Sequence, residues 1–179
     1  MNAEKLRAIQ GPLKDLYRQQ PGAAFLTLKT EGRLGEGVTC KVQTASAIVD
    51  AGLHPATGGT GLNACSGNML LEALVACAGV TLNAVATSIG VIVRDGIVRA
   101  EGDLDFRGTL GVARDAPVGF QNIRLHFHLD TDASEEQLAS LIRLTERYCV
   151  VYQTLQKPPH FDISRSTGAD PSFQAPTDR

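Results

Sequence analysis

Four cysteines, Cys40, Cys65, Cys77 and Cys149, are the residues in this chain with the widest chemical reach. A thiolate is both a nucleophile and a redox centre, so the setting of each decides what it can do. Four thiols spaced this widely do not form the staple framework of a small secreted domain. Cys40 alternates with Val38 and Val42 along one strand face and reads as a small core residue. Cys65 immediately precedes a predicted helix, where unpaired N–H groups lower a thiol pKa, so a structural and a reactive reading both stand. Cys77 follows twelve residues later. That is about 18 Å along a continuous helix, so these two cannot bridge within it. Taken alone, Cys77 in LVACAGVT and Cys149 in ERYCVVYQTL both read as packing residues.

Other common chemistries find no support in the motifs. The chain has no glycine-rich phosphate loop ending in Gly-Lys-Ser/Thr, no GxGxxG, no GxSxG and no HExxH. The glycine cluster at 58–61 is only GGTG and reads as a flexible loop. His126 and His128 share one strand face without an evident third ligand, which makes an exposed polar face the better reading than a metal site. No metal or bound cofactor is expected.

The elements that must position the thiols follow from periodicity. Leu6, Ile9, Leu13, Leu16 and Tyr17 fall at helical spacing across Gly11 and Pro12, which predicts one kinked or two short helices. Ala24–Thr30 and Glu36–Thr44 read as antiparallel strands around a turn at Glu31–Gly35. Ala51–Ala64, with four glycines and a proline, reads as a long loop or hinge. Ser66–Ile89 is apolar on nearly all sides with many small residues, the mark of a buried central helix, closed by Gly90. Asp95-Gly96 reads as a hairpin between Val91–Arg94 and Ile97–Gly108. Phe120–Asp130 alternates, with Ile123, Leu125, Phe127 and Leu129 on one face. Ser134 and Gln137 form a capping box that opens a second helix through Cys149, continuing or restarting to Leu155. His160–Arg165 reads as a last strand. Strands punctuated by two main helices predict an α+β fold with antiparallel sheets.

Composition bounds the rest. At 179 residues one domain is expected, flanked by a helical extension at 1–20 and a mobile tail at 166–179 around a body at 21–165. Seventeen basic against 19 acidic residues, interleaved to a formal net charge of −2, disfavour a nucleic-acid binder. Polar residues interrupt the stretch from Met69 to Val93, so no membrane span is expected. The opening MNAEKLRAIQ lacks the apolar centre of a secretory signal, which points to the cytoplasm. With 5% aromatic residues and no Trp, the core must be aliphatic.

The combination of SGNMLLEALVACAGVTL, EGDLDFRGTL and ERYCVVYQTL, with Cys149 placed 72 residues after Cys77, resembles the OsmC/Ohr family of cysteine-based hydroperoxide reductases. The resemblance runs from about residue 23 to 165. It implies an intertwined homodimer with the central helices packed together. It also implies that Cys77 attacks an organic hydroperoxide and becomes a sulfenic acid, which Cys149 resolves as a disulfide. An external dithiol, a lipoyl or thioredoxin-like protein, would then restore the thiols. The family's activating arginine corresponds to Arg33 in the predicted turn TEGRLGEG, for which a solvated surface charge is the alternative. The sequence departs from the family where a glutamate normally holds that arginine, since Gly67 and Asn68 stand there, and Val150 replaces the proline that usually follows the second cysteine. Those departures keep open an alternative function, a non-catalytic small-molecule-binding or redox-sensing module on the same fold.

Overall fold

The computed structural model describes residues 2–25, 27, 32–34, 39–43, 47–165 and 167–168. The first helix, α1 (Ala3–Gln19), is capped by Asn2, whose side chain accepts the Lys5 N–H at 2.9 Å. It runs through Pro12 as one helix although proline removes a backbone donor. Its apolar stripe is left open, with Ile9 58% exposed and no residue fully buried.

Three strands follow: β1 (Gly32–Leu34), β2 (Thr39–Gln43) and β3 (Ile48–Gly52), paired antiparallel in that order. The expected turn at 31–35 is thus partly strand, and Arg33 sits opposite Lys41. Most of the expected strand at Ala24–Thr30, and parts of its predicted mate, lie outside the described residues. The predicted loop at Ala51–Ala64 contributes its first two residues to β3. It then makes a single tight turn at Pro55–Thr57 and ends in β4 (Ala64–Cys65), which pairs parallel to β3. A parallel pair needs a crossover, and residues 53–63 provide it.

The central helix α2 (Ser66–Ile89) has the predicted bounds, and Gly90 closes it in the left-handed region at φ 76°. Leu74, Ala78, Leu82, Val85 and Ala86 form its buried stripe. By length and composition α2 would cross a membrane, with a mean hydropathy of 1.8 in its most apolar window. Its stripe nevertheless packs on protein, which makes it the core helix of this fold.

The second sheet is the pair β5 (Asp95–Asp103) and β6 (Asn122–Asp130), nine antiparallel partners in continuous register. The expected hairpin at Asp95-Gly96 is absent, because both residues lie within β5 opposite Asp130 and Leu129. A Cβ at Gly96 would come within 2.9 Å of the Leu129 side chain, so this glycine serves a close strand approach. Beyond β5 the chain turns through α3 (Phe106–Thr109). On β6, Ile123, Leu125, Phe127 and Leu129 face inward as the alternation predicts, whereas His126 and His128 are exposed. On the outer face Arg124 bridges Asp103 and Glu101, tying the two strands together.

Two helices close the chain, α4 (Glu135–Tyr148) and α5 (Val150–Gln156). The capping box at the start of α4 is present: Ser134 Oγ accepts the Gln137 N–H at 3.3 Å, and Gln137 Oε1 accepts the Ser134 N–H at 2.9 Å. Residues 160–165 form no strand. The aliphatic core falls in two clusters along α2, one around Leu82, Val85 and Leu141, the other around Leu74, Ala78 and Cys149.

Candidate active site

Cys77 stands at the middle of α2, and Cys149 occupies the single non-helical position between α4 and α5, with ψ 107°. Breaking a helix here frees carbonyl groups at the end of α4 that need partners. The Thr145 carbonyl accepts the Cys149 N–H at 2.9 Å, and the Gln153 side chain donates back to the Glu146 carbonyl at 2.8 Å. Gln153 therefore supports the junction from the C-terminal side, so the helix restarts after Cys149 without a proline.

That restart turns the first amides of α5 toward sulfur. Cys149 is 1% exposed and packs with Leu74 and Ala78, while Cys77 is half-buried against the same cluster. Both thiols are free, and Cys77 packs against the cluster that holds Cys149. Burial pushes the Cys77 thiol up. The Val151 N–H, the Cys149 thiol, the Val150 N–H and the Thr81 hydroxyl more than offset that, and Cys77 ionises below the ordinary thiol range. Burial also pushes Cys149 up. The neighbouring Cys77 adds to the rise, and the Tyr152 and Val151 amides only partly oppose it. The pair is thus differentiated: ionisation is eased at the half-buried Cys77 and opposed at the enclosed Cys149. Such a pair can carry nucleophilic attack followed by thiol–disulfide chemistry.

A cleft of about 460 Å³ has walls that include Leu74, Ile123, Leu125, Phe127, Tyr152 and Leu155, and neither cysteine lines it. All six belong to the cluster that encloses Cys149. Glu146, Gln121 and Gln156 add polar groups to its lining.

The remaining sequence candidates lie elsewhere. Cys65 is the N-cap residue of α2 and lines a separate cleft with His54, Asn68 and Asp103. It makes no side-chain capping bond. Cys40 is on β2 opposite Ala51, and its side chain lies outside the described residues. The same holds for the Arg33 side chain, whose backbone is in β1. By the family resemblance, a buried thiol here would need a cation to ionise. In the structure the offsetting groups are hydrogen-bond donors, among them two backbone amides that periodicity does not reveal. Thr81, four residues after Cys77, is visible in the sequence as a helical neighbour of that thiol. Among the described residues no three potential metal ligands converge.

Comparison with known proteins bears on the family and the fold. Residues 59–164 match the family model described as OsmC-like protein, which leaves α1 and β1–β3 outside the match. No curated protein matches the sequence. Among solved structures, the chain is similar to an OsmC-like protein from Mycoplasma pneumoniae, at 19% identity and a TM-score of 0.62, over 74% of this chain and 89% of that one. It is also similar to an organic hydroperoxide resistance protein from Elizabethkingia anophelis, at 15% identity and a TM-score of 0.60, over 75% and 91% of the two chains. An organic hydroperoxide resistance protein, OsmC, from Legionella pneumophila gives 16% identity and a TM-score of 0.59, over 75% and 92%. At such identities the likeness is one of fold, while the matched model spans more than half of the sequence. The α+β chain with Cys77 and Cys149 brought together on its central and C-terminal helices belongs to the OsmC family.

Proposed function

We propose that this protein is a thiol-dependent hydroperoxide reductase acting on organic hydroperoxides in oxidative stress defence. The observation that carries the reading is the differentiated contact between Cys77 and Cys149, made across 72 residues of sequence. The Cys77 thiolate attacks the peroxide O–O bond and forms a sulfenic acid, and the departing alkoxide takes a proton to leave as the alcohol. The Cys149 thiol then displaces the sulfenic hydroxyl, which leaves as water, and an intrachain disulfide forms. An external dithiol, on a lipoyl or thioredoxin-like protein, returns both cysteines to thiols and is itself oxidised to a disulfide. The apolar side chains packed around Cys77 and Cys149 suit an organic substituent. Arg33 is assigned as a further activating cation.

The active form in this reading is an intertwined homodimer in the reducing cytoplasm. Support comes from what the single chain leaves uncovered: only 28% of the most apolar window of α2 is buried, and Val80 on that helix is 72% exposed. A second copy is the natural cover for such a helix. The function is tested in a dithiol-coupled assay with cumene hydroperoxide. Turnover is expected to vanish in Cys77→Ser, and turnover unchanged in that variant would sink the reading. Binding of apolar ligands without turnover in the parent protein would favour a non-catalytic module.

A further inference from the structure

At seven residues α5 is too short to be a stable helix by itself in water, so it depends on what ties it down. Part of the tie is apolar: Val151, Tyr152 and Leu155 pack on the cluster of Leu74, Ala78 and Cys149. Gln153 takes no part in that packing. It is exposed, and at 3.6 residues per turn it falls on the far side of α5 from those three. Its contribution is a hydrogen bond. In an unbroken helix the Glu146 carbonyl would receive the Val150 N–H. The ψ of 107° at Cys149 interrupts that ladder, and the Gln153 side chain donates to the Glu146 carbonyl at 2.8 Å. Among the described residues this is the hydrogen bond that joins α4 to α5 directly.

We propose that Gln153 is a positioning residue that latches α5 to α4 across the break, and that α5 so held is the cover that keeps Cys149 enclosed. The exposures fit this arrangement. Cys149 is 1% exposed beneath the three α5 side chains, whereas Cys77, against the same cluster, is half-buried. Loss of the Gln153 donor leaves the apolar contacts in place and removes the tether, so α5 lifts from the cluster more often. A thiol protected by such a segment reacts in proportion to the population of the open form. The latch thereby sets the order of the two thiols in the proposed reaction, because Cys149 stays shut away while Cys77 meets the substrate.

The order of the thiols rests on the proposed function, but the latch itself is tested without peroxide. Alkylation of Cys149 by iodoacetamide is followed by mass spectrometry in the full-length protein at one pH, with Cys65, which lines a separate cleft, as the internal reference. Gln153→Met keeps the length and helix propensity of glutamine and removes the donor. The Cys149 rate is expected to rise roughly threefold to tenfold relative to Cys65, as loss of one solvent-accessible hydrogen bond implies. Gln153→Lys, which again offers a donor to a carbonyl at a helix C-terminus, is expected to bring the ratio back to within about twofold of the parent. A Gln153→Met ratio equal to the parent's would overturn the proposal. So would a rise shared equally by Cys65, which reports general loosening, or a Gln153→Lys ratio as high as that of Met. Should Met disturb the fold by circular dichroism, Gln153→Ala is measured in its place: a raised ratio supports the latch, and an unchanged one overturns it. A parent protein without peroxide turnover, whose Met and Lys variants still behave as expected, would count against the proposed function and leave the latch standing.

Discussion

Val150 offers an unusual way to remove a single backbone donor from a thiolate. It is the first residue of α5, where proline is well tolerated because the N–H there has no partner within the helix. The residue before a proline is pushed to extended backbone, and Cys149 already has φ −73° and ψ 107°. The Val150 side chain is 71% exposed, so little packing is lost. Val150→Pro should therefore fold normally while deleting one of the two amides that hold the Cys77 thiolate. A hydrogen bond to an ionised group is worth about 1.5–3 kcal/mol, and a half-exposed sulfur places this one at the low end, or roughly a tenfold loss of thiolate at fixed pH. The assay is site-resolved alkylation of Cys77 from pH 5 to 10, with circular dichroism and thermal melting as controls. The expected result is a profile moved to higher pH at an unchanged melting temperature. A superimposable profile with an intact fold would refute the claim that the α5 amides activate this thiol.

Three further outcomes follow from the same geometry. Leu141 is 0% exposed at the contact between α2 and α4, so Leu141→Ala should destabilise the chain by about 3 kcal/mol in urea unfolding. Cys149 is held neutral in the fold with its pKa raised, so its contribution to stability is complete below the ordinary thiol range and is lost as pH rises through the folded value. Alkaline destabilisation should accordingly be weaker in Cys149→Ala than in the parent, measured by melting at pH 7 and pH 10. Val80→Glu places a charge on the uncovered face of α2 and should yield a monomer in light scattering if that face is the dimer contact.

How far the fold was legible depends on where local patterns and tertiary contacts agree. The bounds of α2, the capping box of α4 and the alternation of β6 were readable because each is a short-range pattern that packing reinforced. Asp95-Gly96 misled because a glycine packed close to Leu129 across a strand pair looks, in sequence, like a turn glycine. The strand Ile48–Gly52 was hidden by the glycine-rich run it leads into. At the site, the contact of Cys77 with Cys149 followed from family resemblance and not from spacing. Whether the helix continues or restarts at Cys149 stayed open in the sequence, because no proline marks the junction that the Gln153 side chain supports. Backbone amides have no side-chain signature, so the donors that lower the Cys77 pKa emerge only when α5 is seen to restart at Val150.

The most direct test that Cys77 and Cys149 act as one redox pair is disulfide mapping by mass spectrometry after one equivalent of cumene hydroperoxide. A Cys77–Cys149 cross-link formed within one turnover, absent in Cys77→Ser and replaced by a sulfenic acid on Cys77 in Cys149→Ser, is the predicted result. Oxidation centred on Cys65, with Cys77 and Cys149 still free thiols, would contradict it.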